Sequence, residues 1–276
     1  MKKRINTINL FVLGLMVFSV ICLVLRSVAM LTALDSYIGY FDRSAAITFF
    51  DRSFFATAIA FGIVTSFFAP KASVSARTPE GLWNTLASIV LGFIWAIFAL
   101  LFAIIGMAEG SILVYVVAAG AIGSAVYYVY EGFRPITRVS GGRTVASLLP
   151  ILSLLAIVFL ENFDFTIALN SPDKQVMMFF FVLAPLYIVQ KLKLATEAPS
   201  QKLYLMSAFL TIFIGIYFSI PGIIANLSGT LNESKYLVYY LLALAISAYA
   251  TVDLITRIKL SSFSETSEVS DPSTEK

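Results

Sequence analysis

Apolar residues in this chain run in long blocks, and polar residues gather in short segments between them. A helix needs about 20 mostly apolar residues to cross a hydrocarbon core roughly 30 Å thick. Eight blocks fit or nearly fit: Ile8–Leu25 (running on toward Leu34), Ala45–Ala69, Trp83–Met107, Ser111–Tyr130, Val145–Leu160, Val176–Gln190, Leu203–Ala225 and Tyr236–Ile258. The fifth and sixth are short, and each contains a proline, Pro150 and Pro185. Such spans can thin the bilayer locally, or lengthen by letting Lys191 and Lys193 snorkel to the interface. The pattern predicts an all-α polytopic bundle of about eight transmembrane helices.

Composition supports that reading and removes others. The 276 residues are 59% hydrophobic and only 13% charged, against about 45–50% and 25% in soluble domains. A soluble enzyme is excluded, and so is disorder outside the last stretch. One cysteine, Cys22, allows no intramolecular disulfide, and the absence of histidine removes the commonest general base and metal ligand. There is no zinc-protease motif, no phosphate-binding glycine loop and no facing pair of mid-membrane aspartates. The expectation is therefore a non-enzyme without cofactor or metal. The net charge of +3 says nothing of nucleic acid, because the basic residues sit beside the spans.

Those basic residues orient the chain. With the N-terminus inside, Lys2, Lys3, Arg4, Lys71, Arg77, Arg134, Arg138, Arg143, Lys191, Lys193, Lys202, Arg257, Lys259 and Lys276 are cytoplasmic. Arg26, Arg43, Arg52, Lys174 and Lys235 fall on the other side. Eight spans then place both termini in the cytoplasm of a plasma membrane. Met1–Arg4 followed by an apolar run also fits a signal peptide with a site near Ser27-Val28-Ala29. The run is longer than a usual signal core, and Arg26 sits awkwardly before that site, so retention is expected. The Asn226 and Asn232 sequons matter only in a secretory pathway, and the composition looks bacterial. Ser261–Lys276 is polar, acidic and serine-rich, and is expected to be a disordered tail.

An internal echo divides the chain into halves at 1–137 and 138–260. Ala33-Leu34-Asp35-Ser36 and Asp42-Arg43 precede Phe49-Phe50, while Ala168-Leu169-Asn170-Ser171 and Asp173-Lys174 precede Phe180-Phe181 at matching spacing. Two four-span halves of equal orientation would be a 4+4 parallel repeat, with a site at their interface. The same loops carry a family likeness. Leu169-Asn170-Ser171-Pro172-Asp173-Lys174 resembles an LNSPNK-like motif, and Asp35-Ser36-Tyr37-Ile38-Gly39-Tyr40-Phe41 is similar to an external D..TGYF-like turn. Both resemble a group of uncharacterised polytopic membrane proteins from clostridial-type bacteria. The likeness covers two loops and their adjoining spans, and departs at Gln190-Lys191, where an acidic residue and an arginine are expected. It implies a compartment and a fold style, with no established activity.

Ionisable groups at membrane depth are functional candidates by default. Asp51 and Arg52 lie about two turns into the second span if its helix starts near Ala45, and at the interface if it starts near Ser53. On a helix they point about 100° apart. Arg26 can answer Asp51, Asp35 or Asp42, or snorkel to headgroups. Asp253 and Arg257 have the spacing of a local ion pair, and Glu161 and Asp164 are expected to be solvated. Ala119/Gly123 and Gly120/Ser124 form a small-residue seam for helix packing or a homo-oligomer contact. Pro221-Gly222 should kink or break the seventh span. Two functions fit: a small-molecule or ion transporter, or a sensor or accessory subunit that holds a membrane protein partner or lipid-like ligand within the bilayer.

Overall fold

The computed structural model describes residues 2–35, 40–42, 44–69, 74–75, 81–109, 111–133, 145–164, 171–194, 200–231 and 234–269. Side chains are described for these except at 2–8, 108–109, 234–235 and 259–269. Eight helices occupy the described residues: α1 Lys2–Thr32, α2 Ala46–Phe68, α3 Leu82–Glu109, α4 Ile112–Phe133, α5 Leu148–Phe163, α6 Pro172–Lys193, α7 Gln201–Leu227 and α8 Ser234–Val269. Seven are long and apolar enough to cross a membrane, and the eighth, α5, has 16 residues. The protein is a multi-pass membrane helical bundle.

The helix neighbours define the architecture. α3 packs on α4, α4 on α5, α5 on α6, α6 on α7, α7 on α8, and α8 on α3, closing a cycle of six. The α1–α2 hairpin lies against α7. α7 is accordingly the most enclosed helix, with 78% of its apolar window buried. Its own glycines let neighbours close in. At Gly215 an added Cβ would fall 1.8 Å from the Ser247 hydroxyl, and at Gly222 it would fall 2.3 Å from the Tyr240 ring.

Local sequence explains the helix ends. Ser171 caps α6 by accepting from the Lys174 N–H at 3.4 Å, and Pro172 fills the first helical position, where its missing N–H costs nothing. Asp173 follows in the first turn, on the positive end of the helix dipole. α7 ends at Leu227, and two residues on Gly229 has a φ of 77° that only glycine adopts cheaply. The Gly229 N–H then bonds the Asn226 carbonyl and the Thr230 N–H bonds that of Ala225, which caps the last turn. Between α1 and α2, β1 Leu34–Asp35 pairs antiparallel with β2 Tyr40–Phe41.

Two expectations change, and a third lies partly outside the described residues. The Pro221-Gly222 break is absent: α7 runs unbroken through both residues. Tertiary packing holds it, since Pro221 is buried and Gly222 seats the Tyr240 ring. α8 continues to Val269, nine residues into the segment expected to lack structure, and 270–276 lie outside the described residues. Of the internal echo, Ser36, Arg43 and Ala168–Asn170 also lie outside them.

Candidate functional site

α1 brings Arg26 to the side of α2, one residue in a mostly apolar helix that is 3% exposed. Its guanidinium lies 3.3 Å from Asp51 Oδ2 and 3.2 Å from Asp173 Oδ1, so one cation is shared by carboxylates of α2 and α6. Each carboxylate also takes a tyrosine hydroxyl. Tyr217 of α7 donates to Asp51 Oδ2 at 2.7 Å, and Tyr240 of α8 donates to Asp173 Oδ2 at 2.7 Å. Aromatic faces close the cluster: Phe41 of β2 sits 4.4 Å from the guanidinium carbon and Tyr217 sits 5.1 Å from it. This packing desolvates the arginine and sets it against the negative ring faces.

The neighbouring sequence positions diverge as helix geometry requires. α2 starts at Ala46, so Asp51 lies within the helix and is 2% exposed, while Arg52 points outward. Asp173 enters the cluster because the Ser171 cap starts α6 at that point. Asp42, in the loop after β2, takes a different part: the Ser44 N–H and hydroxyl both donate to it at 2.8 Å. These bonds hold its carboxyl below the usual carboxylate range.

A second network lies at the far end of the same helices. Lys191, near the end of α6, donates to Glu131 Oε1 of α4 at 2.6 Å and to the Tyr249 hydroxyl of α8. Asp253 accepts from Arg257 at 3.0 Å, from Tyr204 of α7 at 2.7 Å and from Tyr187 of α6 at 2.9 Å. Arg257 also donates to the Ser75 carbonyl at 3.1 Å, which pins the α2–α3 connection to α8. Asp173 and Lys191 are 18 positions apart on one helix, about 27 Å at the helical rise. The two networks therefore lie a membrane's depth apart. Because Glu131 ends α4 at the Lys191 end while Asp173 starts α6 at the other, α5 carries the chain across despite its length. α1 begins and α8 ends on the Lys191 side.

Several residues stand where the sequence did not put them. Of the two fates expected for Arg26, pairing with Asp51 inside the bundle is the one observed, and it does not snorkel. Lys191 is 8% exposed and ion-paired, against the expectation of an interfacial lysine. Glu161, expected to be solvated, is 0% exposed and accepts from Tyr239 at 2.7 Å and from Tyr236 at 3.4 Å. Lys174 is also buried, donating to the Asp164 carbonyl. The small-residue seam packs within the chain: Gly120 and Gly123 abut Ser153 and Leu149 of α5, and Ser124 shares a 2.9 Å hydrogen bond with Ser153. Ala119 is outside that contact and exposed.

Glu131, Lys191 and the tyrosine hydroxyls were missed by sequence reasoning. A usable signal existed in Tyr236, Tyr239, Tyr240 and Tyr249, four polar-tipped rings on one apolar span. A buried tyrosine hydroxyl needs a partner, and in a chain this poor in polar groups the carboxylates are natural ones. Among the described residues, no group of three or more Cys, Asp or Glu side chains is arranged to hold a metal. Comparison with family models, with curated proteins and with solved structures finds no match.

Proposed function

We propose that this protein is a carrier for a small solute or ion in the plasma membrane, with both termini cytoplasmic. One observation carries the reading: α6, α7 and α8 each contribute side chains to both buried networks. α6 supplies Asp173 to one and Tyr187 and Lys191 to the other. α7 supplies Tyr217 and Tyr204, and α8 supplies Tyr240 and Asp253. Rigid helices tied at both ends are the parts needed for alternating access, in which one tie opens while the other holds.

Stability alone is a poor reason for such networks. Buried ion pairs are often no better than apolar packing of equal volume, and intramembrane ionisable groups mark pathways by default. On this reading the Arg26 network is the outer gate and the Lys191 network the inner one. Basic residues of the loops on the Lys191 side agree with that orientation.

The test begins with native mass spectrometry of gently extracted protein, which identifies any retained solute. Counterflow of that solute into proteoliposomes should then be present for the wild type and abolished by Asp51→Asn at equal protein level. Normal flux in the variant removes Asp51 from the mechanism. A second reading, an accessory or sensor subunit, has support from an apolar groove of about 370 Å³ between α3 and α8, lined by Leu91, Ile94, Phe98, Leu241 and Leu244. A stoichiometric second membrane protein in the same spectra would favour it.

A further inference from the structure

The Arg26 network does not balance. One guanidinium faces two carboxylates, so Arg26, Asp51 and Asp173 together carry one net negative charge if both acids are ionised. The shared hydrogen bonds also fall unevenly on Asp51. Oδ2 takes Arg26 and Tyr217, while the buried Oδ1 has no hydrogen-bond partner among the described residues. One turn earlier on the same face of α2, Thr48 is 3% exposed and its hydroxyl likewise has none. We propose that Asp51 is a proton-binding residue of this protein, taking up one proton at Oδ1 while Arg26 passes wholly to Asp173.

The step balances simply. A proton from water forms the Oδ1–H bond, the carboxylate becomes a neutral acid, and the cluster goes from a net −1 to zero. Protonated Asp51 then has a hydrogen to donate, and the Thr48 hydroxyl on its own face is an acceptor in waiting. Arg26 keeps a full partner in Asp173, so neither state strands the guanidinium. Low polarity around the site makes the difference between net −1 and zero matter.

That sum counts the three charged side chains joined by hydrogen bonds, and other groups stand around them. α1 presents Cys22 and Arg26 to α2, and α7 presents Tyr217. Asp173 arrives from α6 with Tyr240 of α8 upon it. Lys174, the next residue, brings a buried positive charge whose ammonium is turned to the Asp164 carbonyl and not to the Asp173 carboxylate. Arg52 points outward. Asp35, Tyr40 and Asp42 belong to the β1–β2 hairpin, where Asp42 is exposed and bonded to Ser44. The proton would supply the coupling ion of the carrier proposed above, and the purpose of the site rests on that reading. Its existence is testable without any solute.

The experiment is infrared difference spectroscopy of the whole protein in liposomes, stepped between about pH 5 and pH 8, with and without sodium. The expected result is the carbonyl stretch of a buried, protonated carboxylic acid that appears at low pH and is lost in Asp51→Asn. Asparagine copies the shape and charge of the protonated acid, so this variant keeps the bundle folded. Asp173→Asn should lose the band as well, because Arg26 and Asp51 then balance one to one. Persistence of the band in Asp51→Asn, or its retention in Asp173→Asn, overturns the proposal. So does a band that responds to sodium at constant pH and not to pH itself. Proton uptake at Asp51 without solute flux would defeat the transport reading and leave this one standing; flux without uptake would do the reverse.

Discussion

Asp51 and Arg52 are adjacent in sequence and end in different surroundings, one among Arg26 and Tyr217 and the other exposed on the outside of the bundle. The step of about 100° per residue makes that separation unavoidable once the helix starts at Ala46. Sequence offered Arg26, 25 residues away, as one partner for Asp51, but it gave no sign of the second carboxylate, because Asp173 lies 147 residues from Arg26. Removing the shared cation should be costly. Arg26→Met leaves two acids crowded in an apolar setting, and loss of one partner of a buried pair typically costs about 3–5 kcal/mol. Thermal unfolding in detergent should show that loss, with Asp51→Asn in the same chain restoring part of it. An unchanged unfolding temperature for the single variant would mean the bridge contributes little to the fold.

At the scale of elements, the bundle was legible because apolar blocks of membrane length admit few alternatives. All eight expected spans correspond to helices, and their ends agree within a few residues for α2, α3 and α7. The helix starts were partly written too: Ser171-Pro172-Asp173 is a capping sequence in its own right. The failures share one cause. Pro221-Gly222 reads as a break by local propensity, but α7 is surrounded by α1, α2, α6 and α8, whose packing outweighs the lost hydrogen bond. The glycine there has a packing task. Gly222→Ala would push a methyl into the Tyr240 ring, whose hydroxyl is fixed on Asp173. Overpacking of this kind costs about 1–3 kcal/mol, so Gly222→Ala should unfold at lower temperature than wild type, and more so than Gly81→Ala, where an added Cβ meets nothing within 4 Å. Equal unfolding temperatures would show that the ring yields freely.

For the whole molecule, eight helices, seven of them of membrane-spanning length, bring both ends of the helical sequence to the Lys191 side. On the orientation proposed above, the basic loops make that side cytoplasmic. Reporter fusions at the two termini should therefore both report the cytoplasm; opposite readings would reverse the assignment of the gates. The two networks were half legible at this scale. Asp51, Arg26 and the Asp253–Arg257 pair stood out as charges inside apolar blocks. Glu131 and Lys191 did not, because each lies near the end of its span, where a charge ordinarily meets water. Only the three-dimensional convergence of α4, α6 and α8 brings them inside.

The brevity of α5 reaches beyond the protein. Its 16 residues span about 24 Å, roughly 6 Å less than the hydrocarbon core they cross. The helix stands between α4 and α6 and turns Leu152, Phe159 and Phe163 outward to lipid. Acyl chains beside it must therefore shorten or splay to keep those rings covered. A helix this short predicts a local dent in the surrounding membrane, one that bilayers of shorter-chain lipids should fill at the least elastic strain.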